Sequence, residues 1–329
     1  MSRPSYRAAV IGCGRIGASF SLHLPGSEVR SHCQAYHEHP RIQLVGVCDT
    51  DADRAAEASR RWNTDSNTDA VALCARLRPD IVSICTPDRT HAELARALLA
   101  EAAPRALLVE KPLALNGDDG ESLLALARAK SCAVAVNYSR RFSPAFQAIA
   151  RELRAGRHGR PILGRFVYGK GLLHNGSHAL DLMRFWLGEP DKVRAGPVAW
   201  GPEGDPSESA DLWFAGGGRV RLEAFDERVA TVFELDVLTE GSRWTATRGG
   251  RDWTFYAAQD DPSLPGYRSY LPTGRERTDT LFADTLGRTL WYAVDNAVAA
   301  LDGEAPLLCT GEDGLEAVRW VEKIRGSGR

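Results

Sequence analysis

The sequence predicts an α/β fold in two parts: a doubly wound parallel sheet with helices, followed by an α+β domain with a mostly antiparallel sheet. Three observations predict it. Residues 1–137 alternate short apolar runs with helical stretches, which is typical of parallel strands and crossover helices. A glycine-rich segment directly follows the first apolar run. Residues 138–329 contain many strand-like runs separated by turn residues, so the predicted boundary lies at residue 137.

The parallel sheet is predicted from runs that are short and apolar, as strands buried on both faces should be. These predicted strands are Arg7–Ile11, Gln43–Cys48, Ile81–Cys85, Ala106–Val109 and Ala133–Val136. The stretches between them have helical periodicity. The predicted helices are Ala52–Trp62, Ala70–Arg76, His91–Ala100 and Glu121–Lys130.

The second part is predicted to mix helices with hairpin-connected strands. Its predicted helices are Ser143–Ala155, His178–Leu187, Thr278–Leu301 and Glu312–Ile324. Its predicted strands are Ile162–Tyr168, Lys192–Ala199, Ala210–Phe214, Arg219–Phe225, Thr231–Leu238, Arg243–Thr247 and Trp253–Ala257. Apolar residues alternate along two of these strands, and we expect the apolar face to need cover from another subunit.

The composition of the chain argues against several classes of protein, including nucleic-acid-binding, membrane and secreted proteins. The chain has 329 residues, 43% of them hydrophobic, and a formal net charge of −2, which argues against a nucleic-acid or membrane-surface partner. The start lacks the pattern of a secretory signal, and no run reaches the about 18 apolar residues of a membrane span, so we expect a cytoplasmic protein. The seven cysteines form no C-x-x-C pair and predict reduced core thiols with no metal site.

The glycine-rich segment is Gly12-Cys13-Gly14-Arg15-Ile16-Gly17, a G-x-G-x-x-G sequence between a strand and a predicted helix. Such glycines permit a tight turn and let the backbone approach a pyrophosphate. Asp49 ends the second predicted strand, where a carboxylate binds ribose hydroxyls and repels a 2′-phosphate. The segment therefore predicts a Rossmann domain that binds NAD, with NADP as the alternative because Arg54 lies nearby. Thr50 is included in the predicted cofactor site.

The spacing from Gly17 to Asp49 is longer than in most such domains. It is 32 residues, whereas about 20 is usual. We expect an insertion within residues 18–31, which forms either a flap over the cofactor or substrate, or a plain surface loop.

Several motifs together resemble the Gfo/Idh/MocA oxidoreductases, and the resemblance covers nearly the whole chain. Besides the glycine segment they are Cys85-Thr86-Pro87 with His91, Glu110-Lys111-Pro112, Tyr138-Ser139-Arg140-Arg141-Phe142 and Gly176-Ser177-His178-Ala179-Leu180-Asp181. The resemblance implies an NAD(P)-binding Rossmann domain over residues 1–137. It implies a substrate-binding and oligomerisation domain with an open-faced sheet over residues 138–329. It also places Thr86, Pro87, His91, Glu110, Lys111 and Asn137 in the cofactor site.

Lys111 is the first predicted catalytic residue. It follows a parallel strand at its carboxyl end, the edge where open α/β sheets bind ligands. The chain has only five Lys among its 41 basic residues, and a Lys here can polarise a substrate oxygen, although a structural ion pair is the alternative. The resemblance implies that this Lys contacts the reacting oxygen.

His178 is the second predicted catalytic residue. It stands at a predicted helix start, where a neutral imidazole is favoured and can accept a proton from an alcohol. Many members of the resembled family have Asp four residues earlier, but this chain has His174, which either shares proton transfer or binds substrate passively. Asn175 is predicted to bind substrate hydroxyls, and Asp181 is predicted either to orient His178 or to bind a substrate hydroxyl.

Tyr138 and Arg141 are predicted to bind substrate as well. A guanidinium after the last parallel strand suits an anionic substrate group, and ion pairing between domains is an equal alternative for Arg140 and Arg141.

The leading hypothesis is an NAD(P)-dependent oxidoreductase that transfers hydride between nicotinamide and a carbinol or carbonyl carbon of a sugar, cyclitol or sugar nucleotide. In this hypothesis Lys111 polarises the oxygen and His178 is the general acid/base. The alternatives are an epimerase or lyase that recycles its NAD, and a non-catalytic NAD-binding regulator. We expect a small polyol or sugar as substrate and a homodimer or homotetramer, with no nucleic-acid or membrane partner.

Overall fold

The computed structural model describes residues 5–20, 28–274, 280–282 and 286–327. The chain forms two compact units. The first comprises residues 1–142 and 287–318, and the second comprises residues 143–286 and 319–329. A C-terminal stretch thus belongs to the first unit, although the division predicted from the sequence is linear. The cofactor and substrate roles assigned to the two parts stay predictions.

The first unit is built on a six-stranded parallel sheet in the order β3-β2-β1-β4-β5-β6. The order reverses between β1 and β4, which is the doubly wound arrangement of the Rossmann fold. The strands are β1 Tyr6–Ile11, β2 Ile42–Cys48, β3 Asp65–Asn67, β4 Ile81–Ile84, β5 Ala106–Val109 and β6 Ala133–Val136. The predicted parallel sheet is therefore confirmed.

Helices cover both faces of this sheet. They are α1 His32–Glu38, α2 Ala52–Trp62, α3 Ala70–Leu77, α4 His91–Glu101, α5 Gly117–Ala129 and the C-terminal α8 Thr289–Leu301. Side chains of Asp51, Asp69 and Asn116 accept backbone N–H bonds at the starts of α2, α3 and α5, so these helices begin where capping residues stand. One apolar core contains residues of α3, α4 and α5, and the other contains residues of α1 and α8.

The second unit contains an eight-stranded sheet in the order β14-β13-β12-β11-β7-β10-β9-β8. Only β7 and β10 are parallel, so the predicted mostly antiparallel sheet is confirmed. The strands are β7 Pro161–Tyr168, β8 Pro190–Ala199, β9 Ser207–Phe214, β10 Arg219–Ala224, β11 Phe233–Thr239, β12 Ser242–Thr247, β13 Asp252–Asp260 and β14 Arg268–Pro272. The helices are α6 Pro144–Arg154 and α7 Ser177–Leu187, with the end of α9 Gly311–Ser327.

The alternating apolar residues of β10 and β11 do not lie on an uncovered face. Val220, Leu222, Leu235 and Val237 are buried within the chain itself. The opposite face carries charged side chains such as Arg221. The apolar alternation was therefore the wrong reason to expect an oligomer, and the oligomer stays a prediction.

The structure also contains elements that the sequence pattern did not predict. β3 is three polar residues at the sheet edge, and α1 and β14 are short. Residues Thr278–Leu301 were predicted as one helix, but α8 begins only at Thr289 and residues 280–282 form a 3₁₀ turn.

All seven cysteines are buried, as predicted. Within the described part of the chain, no helix is long and apolar enough to pass through a bilayer.

Candidate functional site

The glycine loop has the shape that a pyrophosphate requires. Gly12 has φ +97°, and a Cβ there would lie 2.6 Å from the Cys85 carbonyl carbon. A Cβ at Gly17 would lie 1.8 Å from the Gly12 oxygen, so the turn closes only with glycine at both positions. At Gly14 a Cβ would meet no atom within 4 Å, which leaves room for a ligand against the backbone. The loop therefore fits a dinucleotide.

The segment after the loop differs from the expected helix. Arg15–Ser19 form a single π-helical turn, with the Arg15 guanidinium 4.5 Å from the centre of the Phe20 ring and Ile16 packed on the core. The expected insertion at residues 18–31 partly lies outside the described residues, which resume at 28. Its role as a flap stays a prediction.

The Asp49 carboxylate is hydrogen-bonded to the glycine loop. Its Oδ2 accepts the Cys13 N–H at 2.8 Å, and its Oδ1 accepts the Asp51 N–H at 3.0 Å. The carboxylate therefore stands beside the loop, as a ribose-binding acid should. Thr50 is exposed, and the Arg54 guanidinium is paired with Asp51 at 2.9 Å. Burial and the Asp49 charge raise the pKa of the Cys13 thiol to about 12, so this thiol stays protonated.

The loops after β4 and β5 are joined by a buried histidine. The two ring nitrogens of His91 lie 2.7 Å from the carbonyl oxygens of Thr86 and Pro112. Carbonyl oxygens only accept, so both contacts are hydrogen bonds only in the doubly protonated ring. His91 is thus buried between these two loops and contacts both, whereas Pro87 is exposed at their surface.

Glu110 faces inward rather than toward a ligand. Its Oε1 lies 2.9 Å from His32 Nε2 and accepts an Asn137 Nδ2–H bond at 2.7 Å. His32 Nδ1 lies 2.8 Å from the Ser83 hydroxyl, which lies 2.6 Å from the Tyr36 hydroxyl. One assignment of donors is consistent with these three contacts: Tyr36 donates to Ser83, Ser83 donates to His32 Nδ1, and His32 Nε2–H donates to Glu110.

This internal network keeps Glu110 ionised. Burial opposes the charge, but the His32 and Asn137 hydrogen bonds and the nearby Lys111 charge outweigh it and hold the pKa of the Glu110 carboxyl below its ordinary value. His32, Ser83 and Tyr36 were not among the predicted site residues. The only signal for them is that polar residues occur inside apolar segments.

The other predicted residues of the first unit differ in exposure. Lys111 follows β5 directly, is partly exposed, and precedes Pro112 in a cis peptide bond. Tyr138 is only 1% exposed and belongs to the apolar core. The Arg141 guanidinium is buried and lies 3.0 Å from Asp313 within the same unit. These two placements do not favour substrate binding by Tyr138 or Arg141, and their roles stay predictions.

The predicted histidines lie in the second unit. A π-helical turn, Leu172–Gly176, carries His174 and runs directly into α7, which carries His178 in its first turn. Asn175 Nδ2 donates to the Gly169 carbonyl at 2.8 Å, and Asp181 is 1% exposed on α7. His174, Asn175 and His178 are partly exposed.

The expected helix start at His178 is displaced. Because the π-turn precedes α7 without a break, the N–H groups that have no acceptor within the helix belong to residues near Leu172, not to residues near His178. The argument that a helix N-terminus favours neutral His178 therefore weakens, since that effect falls off within one turn.

Several of the predicted cofactor residues lie in a continuous series of contacts at the carboxyl edge of the parallel sheet. Asp49 contacts the glycine loop, the loop contacts the end of β4, and His91 links that end to Pro112 beside Lys111. Such an edge at the point of strand reversal is where doubly wound folds bind dinucleotides.

Comparisons with known proteins identify the family of this chain. The model of the oxidoreductase family with an NAD-binding Rossmann fold, Gfo/Idh/MocA, matches residues 6–138. UDP-N-acetylglucosamine 3-dehydrogenase of Acidithiobacillus ferrooxidans is 31% identical over 339 residues, which cover 97% of this chain and 96% of that enzyme. D-apiose dehydrogenase of Paraburkholderia graminis is 28% identical over 208 residues, covering 58% of this chain and about half of that enzyme, 52%.

Among solved structures, the WlbA dehydrogenase of Bordetella pertussis in complex with NADH and UDP-GlcNAcA has a TM-score of 0.80. It is 19% identical, and the match covers 100% of this chain and 97% of that chain, which supports the fold. The glycine loop, the family match and the full-length relative together show that the chain is an NAD-dependent oxidoreductase of the Gfo/Idh/MocA family.

Proposed function

We propose that this chain is a dehydrogenase that oxidises a carbinol carbon, or reduces the corresponding carbonyl, of a sugar, cyclitol or sugar nucleotide. The observation that carries the proposal is Lys111, a partly exposed cation at the carboxyl end of β5, on the sheet edge that also holds the glycine loop. The names of D-apiose dehydrogenase and UDP-N-acetylglucosamine 3-dehydrogenase support a hydroxyl-bearing substrate.

Each residue has a defined part in this proposal. Lys111 donates a hydrogen bond to the reacting oxygen and stabilises the negative charge that develops on it. His178 accepts the hydroxyl proton during oxidation and returns it during reduction. Nicotinamide, when NAD is bound, supplies the hydride acceptor or donor. Asp49 favours NAD over NADP because a second negative group beside it would be repelled.

The test follows absorbance at 340 nm with NAD and a panel that includes D-apiose, myo-inositol and UDP-N-acetylglucosamine. We expect net NADH formation with at least one of them. Product formation without net NADH would instead indicate an enzyme that recycles its NAD. Absence of any turnover, with NAD still bound by calorimetry, would indicate a regulator.

Lys111 variants test the assigned role on the substrate found in this way. Lys111→Ala should lower kcat by about 10²-fold or more and leave the NAD dissociation constant nearly unchanged. Lys111→Arg should not restore the rate, because a guanidinium is bulkier and does not give up its proton. Lys130→Ala, which removes an exposed lysine of the same unit, is the control and should retain the parent kcat. An active Lys111→Ala enzyme would exclude the role.

A further inference from the structure

The Asp205 carboxylate accepts hydrogen bonds at the start of the turn Leu172–Gly176, which carries His174 in the second unit. Asp205 Oδ1 accepts the Leu173 N–H at 2.9 Å, and Asp205 Oδ2 accepts the His174 N–H at 2.8 Å. The N–H before them, of Leu172, donates to the Pro206 carbonyl at 3.1 Å. A loop that lies more than thirty residues downstream in the sequence therefore binds three successive N–H groups at the start of this turn.

Asp205 is itself held in place. Arg325, on the last helix of the chain, donates from Nη2 to Asp205 Oδ1 at 2.6 Å, and its Nε lies 3.4 Å from Glu208. Gly171 has φ +85°, and a Cβ there would lie 2.1 Å from Asp205 Oδ2. The carboxylate can approach the turn only because residue 171 is glycine.

From these contacts we propose that Asp205 is a positioning residue that fixes the turn carrying His174 and, through its continuation into α7, His178. The inference rests on the proposed function, in which these histidines act on the substrate. A carboxylate suits this place because it accepts from two N–H groups and carries the charge that a helix start favours. Misplacing a catalytic group by a fraction of an ångström lowers the rate although the group is still present.

Hydrogen exchange tests the contact without any substrate. In Asp205→Asn one carboxylate oxygen becomes an NH₂ group that cannot accept, so the amides of Leu173 and His174 should exchange about tenfold faster or more. Amides in the last turns of α7 should keep their rates. The matched control is Asp226→Asn, because Asp226 also accepts a backbone N–H and pairs with an arginine, but in an exposed turn. Unchanged exchange at both Leu173 and His174 would overturn the proposal.

A double-mutant cycle separates positioning from a merely structural role. Asp205→Asn alone should lower kcat on the order of tenfold while the NAD dissociation constant stays the same. In a His178→Ala background it should cause little further loss, because the group to be positioned is gone. Equal losses of kcat in both backgrounds would show that Asp205 acts only on the amount of folded enzyme and would overturn the proposal.

One further variant and one single-mutant result keep the outcomes distinct. If Asp205→Asn does not fold, Arg325→Gln is used instead, because it keeps the Asp205 carboxylate but removes its hydrogen bond from Arg325. This variant should give smaller changes in the same exchange rates and in kcat. If His178→Ala leaves kcat unchanged, the role proposed for His178 is wrong, whereas the exchange rates still decide whether Asp205 holds the turn.

Discussion

Lys111 could be singled out at the scale of single residues because lysine is rare in this chain and follows a strand end. The residues behind it could not be predicted in the same way. Glu110 belongs to the same three-residue motif as Lys111. Its carboxylate nevertheless points into the core and contacts His32, which lies on α1, 78 residues earlier in the sequence. Partners of this kind depend on packing between α1 and the sheet, which periodicity does not encode.

Glu110 makes the stability of the first unit depend on pH. Its pKa is lowered in the folded chain, so its contribution is complete above the ordinary value of 4.5 and is lost as pH falls through the lower folded pKa. Glu110→Gln should destabilise the protein by about 3–5 kcal/mol near neutral pH, since His32 and Asn137 lose their charged partner. Denaturant titrations from pH 7 to pH 3 measure this, and the difference between variant and parent should shrink in acid.

The control for that experiment is Glu57→Gln, since Glu57 is an exposed carboxylate 3.9 Å from Arg61. It should change the free energy of unfolding by less than about 1 kcal/mol at every pH. A Glu110→Gln protein as stable as the parent at neutral pH would show that the buried pair contributes nothing net.

At the scale of elements, strands and helices with strong apolar periodicity were predicted nearly to the residue, as for β5 and α2. The edge strand β3 was missed because all three of its residues are polar. The π-turn before α7 was missed because Gly171 and Gly176 resemble loop residues in the sequence. In the structure Leu172–Gly176 continue into α7, and Asp205 accepts N–H groups at the start of this segment. Long-range contacts decided these elements, not local propensity.

The glycine loop allows two similar substitutions to be compared. Gly14→Ala should fold with nearly the parent melting temperature, because its Cβ meets open space, yet it should weaken NAD binding about tenfold or more by occupying the ligand's room. Gly17→Ala should lose stability as well, because its Cβ would overlap the Gly12 carbonyl. Gly216→Ala, in an open turn of the second unit, is the control. Calorimetry measures NAD affinity and thermal melts measure stability. Undiminished NAD affinity in Gly14→Ala would contradict the claim that the ligand occupies the space beside Gly14.

The turn and helix that carry the two histidines lead to a prediction about the proton path. His178→Ala should lower kcat by about 10²–10⁴-fold with NAD affinity unchanged, the usual contribution of a general base. His174→Ala should cost only about tenfold, as the loss of one substrate hydrogen bond would. Steady-state kinetics of the single and double variants measure both effects. Equal losses that do not add would mean that the two histidines form one relay, against a single base at His178.

For the whole molecule, the sequence predicted both sheets but not the division of the chain. The stretch 287–318 returns to the first unit because α8 supplies apolar residues such as Leu290 and Val294 to its core. Nothing local in those residues distinguishes a helix of the first unit from one of the second. The charged face of the eight-stranded sheet was also misjudged, because alternation alone does not say which face the helices cover.

Self-association is the prediction that belongs to the whole molecule, and the resemblance to the family places it on the open face of the second sheet. That face carries ion pairs such as Arg243 with Asp236 and Arg221 with Asp211, so association through it should be polar. We expect light scattering at micromolar concentration to give two or four times 35.9 kDa, with a lower average mass in 1 M salt, where exposed charges are screened.

Arg165→Glu, which reverses an exposed charge on the central strand β7, should lower the mass further, whereas Arg60→Glu on α2 of the first unit should not. A monomer in low salt would refute self-association, and an assembly that Arg165→Glu leaves intact would move the contact to another surface.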